Sequence, residues 1–256
     1  MTGINGNAIA RLLIERGWQV HGLSRSPARM DGVQPVPADL QDAAATAEAL
    51  KDIDPDAVFV TTWLRRDTEA ENIRVNGSMM RNLLGGLSKF GRPRHVALVT
   101  GLKHYLGPFE AYGRGRLPHT PFREDQGRLD VANFYYAQED ELFEAAARDG
   151  FSWSVHRPHT VIGMAVGNAM NMGTTLAVYA TLCRETGRPF VFPGSAVQWN
   201  GLTDMTDADL LAEHRQLIHC RRTIDVERRH QHLLAFAVLE PLGQLAGGGG
   251  LARALQ

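Results

Sequence analysis

Several shortages in this chain each close off a class of protein. Only two cysteines, Cys183 and Cys220, stand in 256 residues, too few and too far apart for a disulfide framework or a cysteine zinc site. That fits a reducing compartment, and a cytoplasmic location is the expectation. No apolar run approaches the roughly 20 residues that a membrane-spanning helix needs, and the N-terminus lacks the charged-then-apolar order of a signal peptide. Neither sign of charge prevails: 27 Lys+Arg face 28 Asp+Glu, so no global field would recruit nucleic acid or an anionic membrane surface. A small, roughly neutral ligand is the expected partner. The tail groups His214, His219, Cys220, His230 and His232 match no standard ligand spacing, so no metal is expected.

With 44% hydrophobic residues, the chain suffices for one sizeable domain with a buried core. Apolar runs bounded by turn residues alternate with amphipathic stretches. WQVHGLSR (18–25), DAVFVTT (56–62), HVALVTG (95–101) and WSVHRP (153–158) read as strands. The middle two are almost continuously apolar, as strands buried on both faces are. Ile9/Leu12/Leu13 with Gly17 as a stop, Ala70 to Leu87, and Asn133 to Ala147 show helical spacing. The expectation is a doubly wound α/β fold with a parallel sheet, binding its ligand beyond the carboxyl ends of the strands.

Two further things are missing for that fold. The chain opens on MTGINGNAIARLLIERG, a glycine turn and a helix, with no strand written before them. After His214 the text turns rich in Arg, Leu, Ala and Gly without strand or helix punctuation, and Gly247 to Gly250 are linker-like. The expected division is therefore a Rossmann-like nucleotide-binding domain with the start of a substrate-binding region over 1–214, and an atypical tail over 215–256. An absent first strand and a truncated, frame-shifted or disordered C-terminal region are the corresponding expectations.

The motifs lie at strand ends. Gly3 and Gly6 in TGINGN have the spacing of the last two glycines of a dinucleotide loop, where backbone must approach a pyrophosphate and a helix start offers N–H groups. A Gly-containing turn is the plainer account. At the end of the second-strand segment GLSRS, where an acidic residue would favour NAD, stands Arg25, whose guanidinium suits the 2′-phosphate of NADP or simply faces solvent. Asp39 in PADLQD sits by an adenine or caps a turn. NFYYAQEDE places Tyr135 and Tyr136 at a helix start, where short-chain dehydrogenases carry a proton donor with a lysine four residues on. Here Glu139 and Asp140 occupy those positions. A lysine does occur in VTGLKHYLGPFE, where Lys103 follows a strand and can reach a tyrosine from a neighbouring loop. Both features have ordinary alternatives, a solvated lysine and a packed aromatic cluster.

TGLKHYLGPFE, NFYYAQEDELFE, WSVHRPHTVIG and NAMN…LAVYATLCRETGRPFVFPGS resemble the progesterone 5β-reductase and iridoid synthase family of atypical short-chain dehydrogenases, from Thr2 to about His214. The resemblance implies an NADPH-dependent reductase of the C=C bond of activated enones. In that family the lysine of the first motif and the first tyrosine of N-F-Y-Y form the active pair, here Lys103 and Tyr135, with Tyr136 as a structural neighbour. The implied cofactor contacts are Gly3, Ile4, Gly6, Arg25, Asp39, Thr62, Trp63, Thr100, Pro158, Thr160, Val161 and Ile162. Trp63, Leu106 and Phe109 are the implied substrate-pocket residues. The partner implied is a small enone, and a homodimer is the expected assembly. The competing readings are a nucleotide-sugar epimerase or dehydratase, weakened by the absent Y-x-x-x-K, a non-catalytic NADP-binding protein, and an inactive relative.

Overall fold

The computed structural model describes residues 3–27, 29–108, 120–165, 170–192, 194–200, 204–213 and 232–236. Along the chain run α1 (Ile4–Glu15), β1 (Gln19–Ser24), β2 (Val33–Pro37), α2 (Ala43–Leu50), β3 (Ala57–Val60), α3 (Glu69–Phe90), β4 (His95–Val99) and α4 (Lys103–Leu106). There follow α5 (Phe134–Asp149), β5 (Ser152–His156), β6 (Val161–Ile162), α6 (Met172–Glu185), α7 (Ala196–Trp199), β7 (Thr206–Asp207), α8 (Ala208–Glu213) and β8 (His232–Phe236). Among the described residues no helix is long and apolar enough to cross a membrane.

The main sheet has six strands in the order β2-β1-β8-β3-β4-β5, and its pairings are parallel. With β8 in the place of a first strand, this is the 3-2-1-4-5-6 order of a dinucleotide-binding sheet, which binds ligand where the order reverses. The slot that the sequence reading left empty is thus filled: Gln19 to Leu23 of β1 pair with His232 to Phe236, and Ala57 to Val60 of β3 pair with Leu233 to Phe236. This corrects the reading of the tail as lacking a strand. LLAFAV is a short apolar run without flanking turn signals, and periodicity cannot separate such a run from a buried helical piece. The rest of the tail lies outside the described residues.

The strand period of two distributes side chains between two cores. Val58 and Val60 of β3, with Val96 and Leu98 of β4, pack against Leu50 of α2, Val75 to Leu87 of α3 and Leu142 of α5. Ala57, Phe59 and Ala97 face the other way, onto Ile4, Ala8, Ile9 and Leu13 of α1 and Ala208 and Ala212 of α8. Each fully buried Val, Leu or Phe contributes about 1.5–3 kcal/mol. Helices on both faces explain why β3 and β4 read as continuously apolar.

Caps set the helix starts that matter later. Thr68 accepts from Glu71 N at 3.2 Å at the head of α3, and Asn133 accepts from Tyr135 N at 3.1 Å at the head of α5. α5 stops at Gly150, which takes the left-handed conformation at φ 80° that favours glycine. Gly6, expected in a loop, lies buried inside the first turn of α1.

Candidate active site

The carboxyl edge of the main sheet gathers most of the residues singled out from the sequence. β1 runs into Arg25, β3 into Thr62 and Trp63, β4 into Thr100, Gly101 and Lys103, and β5 into Pro158. Two asparagines of α3 hold the turn after β3. Asn76 accepts from Leu64 N at 2.7 Å and donates to Leu64 O at 2.8 Å, while Asn72 accepts from Arg66 N at 2.7 Å. Gln138 of α5 donates to Thr62 O at 3.2 Å. So anchored, Trp63 stacks on Phe134 with ring centroids 5.3 Å apart.

Lys103 opens the short helix α4 and is 3% exposed. Its Nζ donates to both carboxylate oxygens of Glu69, at 3.0 and 2.8 Å, and lies 4.4 Å from the centroid of the Phe134 ring. Asn133 donates to Lys103 O at 2.8 Å, tying α4 to the cap of α5. Tyr135 packs its ring against Phe134 at 4.3 Å between centroids. Its hydroxyl points to the end of β4: a Cβ added at Gly101 would stand 3.4 Å from Tyr135 Oη and 3.4 Å from Pro158 O. Lysine and tyrosine, from different elements, therefore flank one aromatic ring at the edge of the sheet.

The neighbouring tyrosine has a different task. Tyr136 is buried, donates to His104 O at 2.7 Å and accepts from Leu129 N at 3.0 Å. Glu139, at the position where a helix-borne lysine would stand, is 1% exposed and binds Arg128 at 2.9 Å and Arg157 at 3.4 Å. His104 Nδ1 lies 3.8 Å from the same carboxylate. Burial first, and then the nearby Arg157 cation, lower the His104 pKa from its ordinary 6.5. Glu139 thus joins α4, the end of β5 and the 123–130 segment from below. The half-buried His159 is engaged elsewhere, with Asp204, whose pKa is lowered by that contact.

The first helix and its surroundings suit a nucleotide. Gly3 caps α1 with no side-chain hydrogen bond, so the helix start presents backbone N–H groups and a positive dipole end without a capping oxygen of its own. Among the described residues Asn5 Oδ1 in that first turn and Thr62 Oγ1 at the end of β3 are buried without a hydrogen-bond partner. Buried polar atoms are normally satisfied, so a polar molecule along this edge fits these donors and acceptors.

Other predicted residues have clear structural engagements. Asp39 accepts from Gln41 N at 3.0 Å, the turn role weighed against the adenine role. Thr100 donates to His156 O from both its N and its Oγ1, binding β4 to β5. Thr160 O accepts from Thr206 N, and Val161 and Ile162 form β6, paired with β7 in a separate two-stranded sheet. Ile4 packs in the core beside Gly163, where a Cβ would approach its Cγ2 to 2.9 Å. Leu106 ends α4 half-buried, and Phe109 lies outside the described residues. Sequence reasoning missed Glu69, Phe134 and Glu139. TEAEN reads only as a capped helix start, and nothing local reveals that its first carboxylate meets a lysine 34 positions on.

Strand order and uncapped first helix together define a Rossmann-like α/β protein. The profile of the NAD dependent epimerase/dehydratase family matches residues 1–208, and the chain belongs to that family. The resemblance carried by the lysine and tyrosine motifs is borne out among curated proteins. The (S)-8-oxocitronellyl enol synthase CYC2 of Camptotheca acuminata is 40% identical over 227 residues. The 3-oxo-Delta(4,5)-steroid 5-beta-reductase of Arabidopsis thaliana is 40% identical over 229 residues. Each alignment covers 84% of this chain and 58% of the relative, so the chain spans little more than half the length of these relatives. Among solved structures, the Thermus thermophilus UDP-glucose 4-epimerase in complex with NAD matches with a TM-score of 0.65 at 17% identity, over 93% of this chain and 74% of that one. The Bordetella bronchiseptica enzyme WbmH in complex with NAD+ matches with a TM-score of 0.57 at 18% identity, over 92% and 72% of the two chains. These likenesses establish the shared fold.

Proposed function

We propose that this chain carries the nucleotide-binding core and the catalytic pair of an NADPH-dependent reductase of activated enone C=C bonds. The observation that carries the reading is the convergence of Lys103 and the Tyr135 hydroxyl on the carboxyl edge of the sheet, about one phenyl ring. The curated relatives, a steroid 5-beta-reductase and an enol synthase, support it by their names. The reduced nicotinamide, when bound, supplies the hydride. Gly3, the α1 start, Thr62 and Arg25 are the residues that would hold the dinucleotide.

As hydride adds to the β-carbon of an enone, negative charge moves to the carbonyl oxygen. A hydrogen-bond donor aimed at that oxygen lowers the barrier, and in this reading Tyr135, with its hydroxyl near Gly101 at the end of β4, is that donor. In this reading the Lys103 ammonium, held behind Phe134 by the Glu69 carboxylate, tunes this edge as one half of an ion pair rather than as a lone cation. The enolate then takes a proton from solvent water at its α-carbon, completing the reduction. Trp63 and Leu106 border the same edge and offer apolar contact to the hydrocarbon part of a substrate.

The test is Tyr135→Phe assayed with a simple cyclic enone and NADPH. Removing one donor to a developing oxyanion lowers turnover by about 10²–10³-fold, while the dissociation constant for NADPH stays nearly unchanged. A Phe variant as active as the parent overturns the assignment.

A further inference from the structure

A helix that carries both tyrosine and lysine sets their separation by its own geometry, one turn apart. Here the two come from different elements, Lys103 from α4 and Tyr135 from α5. Something else must hold them in register. Glu69, the first residue of α3, touches both elements: its Oε1 accepts from Phe134 N at 2.7 Å, immediately before Tyr135, and both its oxygens accept from Lys103 Nζ. Asn72, one turn further along α3, adds a bond to Oε2 at 3.4 Å.

We propose that Glu69 is the positioning residue of this site, a buried carboxylate that fixes the Lys103 ammonium against the first turn of the tyrosine helix. The proposal deepens the enone-reductase reading and rests on it only for its kinetic consequence. Glu69 is 9% exposed and Lys103 is 3% exposed. Buried ion pairs contribute little net stability, because desolvation offsets attraction, whereas removing one partner strands a charge. A pair of this kind, saturated with hydrogen bonds and seated at the active edge, is better understood as holding geometry and charge. Among the described residues, α3 contributes Glu69 to the ammonium, and α5 meets the pair through Phe134, by its backbone N–H on Glu69 and its ring beside Lys103.

The chain has three lysines, Lys51, Lys89 and Lys103, which makes a direct measurement practical. In protein labelled with ¹³C at the lysine ε-carbon, each ammonium is followed against pH by NMR, with Lys103 assigned from Lys103→Arg and the other two as references. Glu69→Gln keeps the shape and one acceptor but removes the charge. The expected result is that the Lys103 signal titrates at clearly lower pH in this variant than in the parent, while Lys51 and Lys89 do not move. In parallel, enone turnover falls by about tenfold or more, within the share that proton-handling groups supply, with KM little changed. Glu69→Asp, which keeps the charge and draws it back by one methylene, gives an intermediate titration and partial rescue of turnover. It also serves if the Gln variant does not fold. An unchanged Lys103 titration in both variants overturns the proposal. A parent protein without enone turnover that still shows the lysine shift overturns the substrate reading and leaves the positioning role standing.

Discussion

Arg25 shows how a single residue can be legible in type and silent in role. Its place directly after β1 follows from the strand pattern, and a guanidinium there is suited to bidentate contact with a phosphate. If it selects the 2′-phosphate, Arg25→Ala raises the NADPH dissociation constant by about tenfold or more, since a hydrogen bond to a charged group is worth about 1.5–3 kcal/mol. NADH binding stays as it was. Titration of both cofactors by fluorescence checks this, and equal weakening of the two would assign Arg25 a merely structural part. Lys103 was legible as a candidate at a strand end, and Tyr135 and Tyr136 at a helix start; the choice of Tyr135 as its partner was implied by the family resemblance. Glu69 was not legible, because its partner lies far along the chain and only the packing of α3 against α5 brings them together.

At the scale of elements, α4 and α5 are joined by a buried polar layer below the site. His104 is central to it, 2% exposed, with Nε2 3.3 Å from Gln126 O. Its pKa is lowered from 6.5, chiefly by burial, so the folded protein resists a proton that the unfolded chain accepts. The neutral form's advantage is full above the unfolded pKa and is lost as pH falls below 6.5. His95, buried in β4 between Ser152 and Ser154, has its pKa lowered by burial and acts in the same direction. Melting temperature is therefore expected to drop between about pH 7 and pH 5.5, and His104→Gln to flatten the slope. Scanning calorimetry across that range provides the check, and an unchanged slope in the variant removes His104 from this role. The start of α5 was readable from the Asn133 cap, whereas its end falls beyond the expected Ala147, at the left-handed Gly150. α2, with its Ala-rich sequence and Asp42 cap, stands outside the helices read from periodicity.

For the molecule as a whole, the decisive element is β8, which stands in the middle of the sheet with a parallel neighbour on each side. Proline in such a strand removes an N–H from the ladder. Leu234→Pro leaves a carbonyl of a neighbouring strand unpaired, at about 1–3 kcal/mol if buried, and adds ring clashes in a central strand. Against a total stability of about 5–15 kcal/mol, that is a large loss. Urea denaturation is expected to show a much lower midpoint for Leu234→Pro than for the parent, and an unaltered midpoint would mean that β8 contributes little to the sheet.

Local pattern alone determined the class of fold, four of the strands and the helices α1, α3 and α5, while the choice of Lys103 and Tyr135 as the pair came from the family resemblance. Those strands and helices depend on period and cap chemistry, which are properties of neighbours in the chain. Tertiary structure decided what neighbours cannot encode. It placed 232–236 from the far end of the chain between β1 and β3. It turned Glu139, which the sequence already sets where a lysine was sought, toward two arginines. It also set Glu69 between Lys103 and the tyrosine helix. Central pairing in a parallel sheet and buried charge compensation both join distant segments, and only the folded chain brings them within reach of one another.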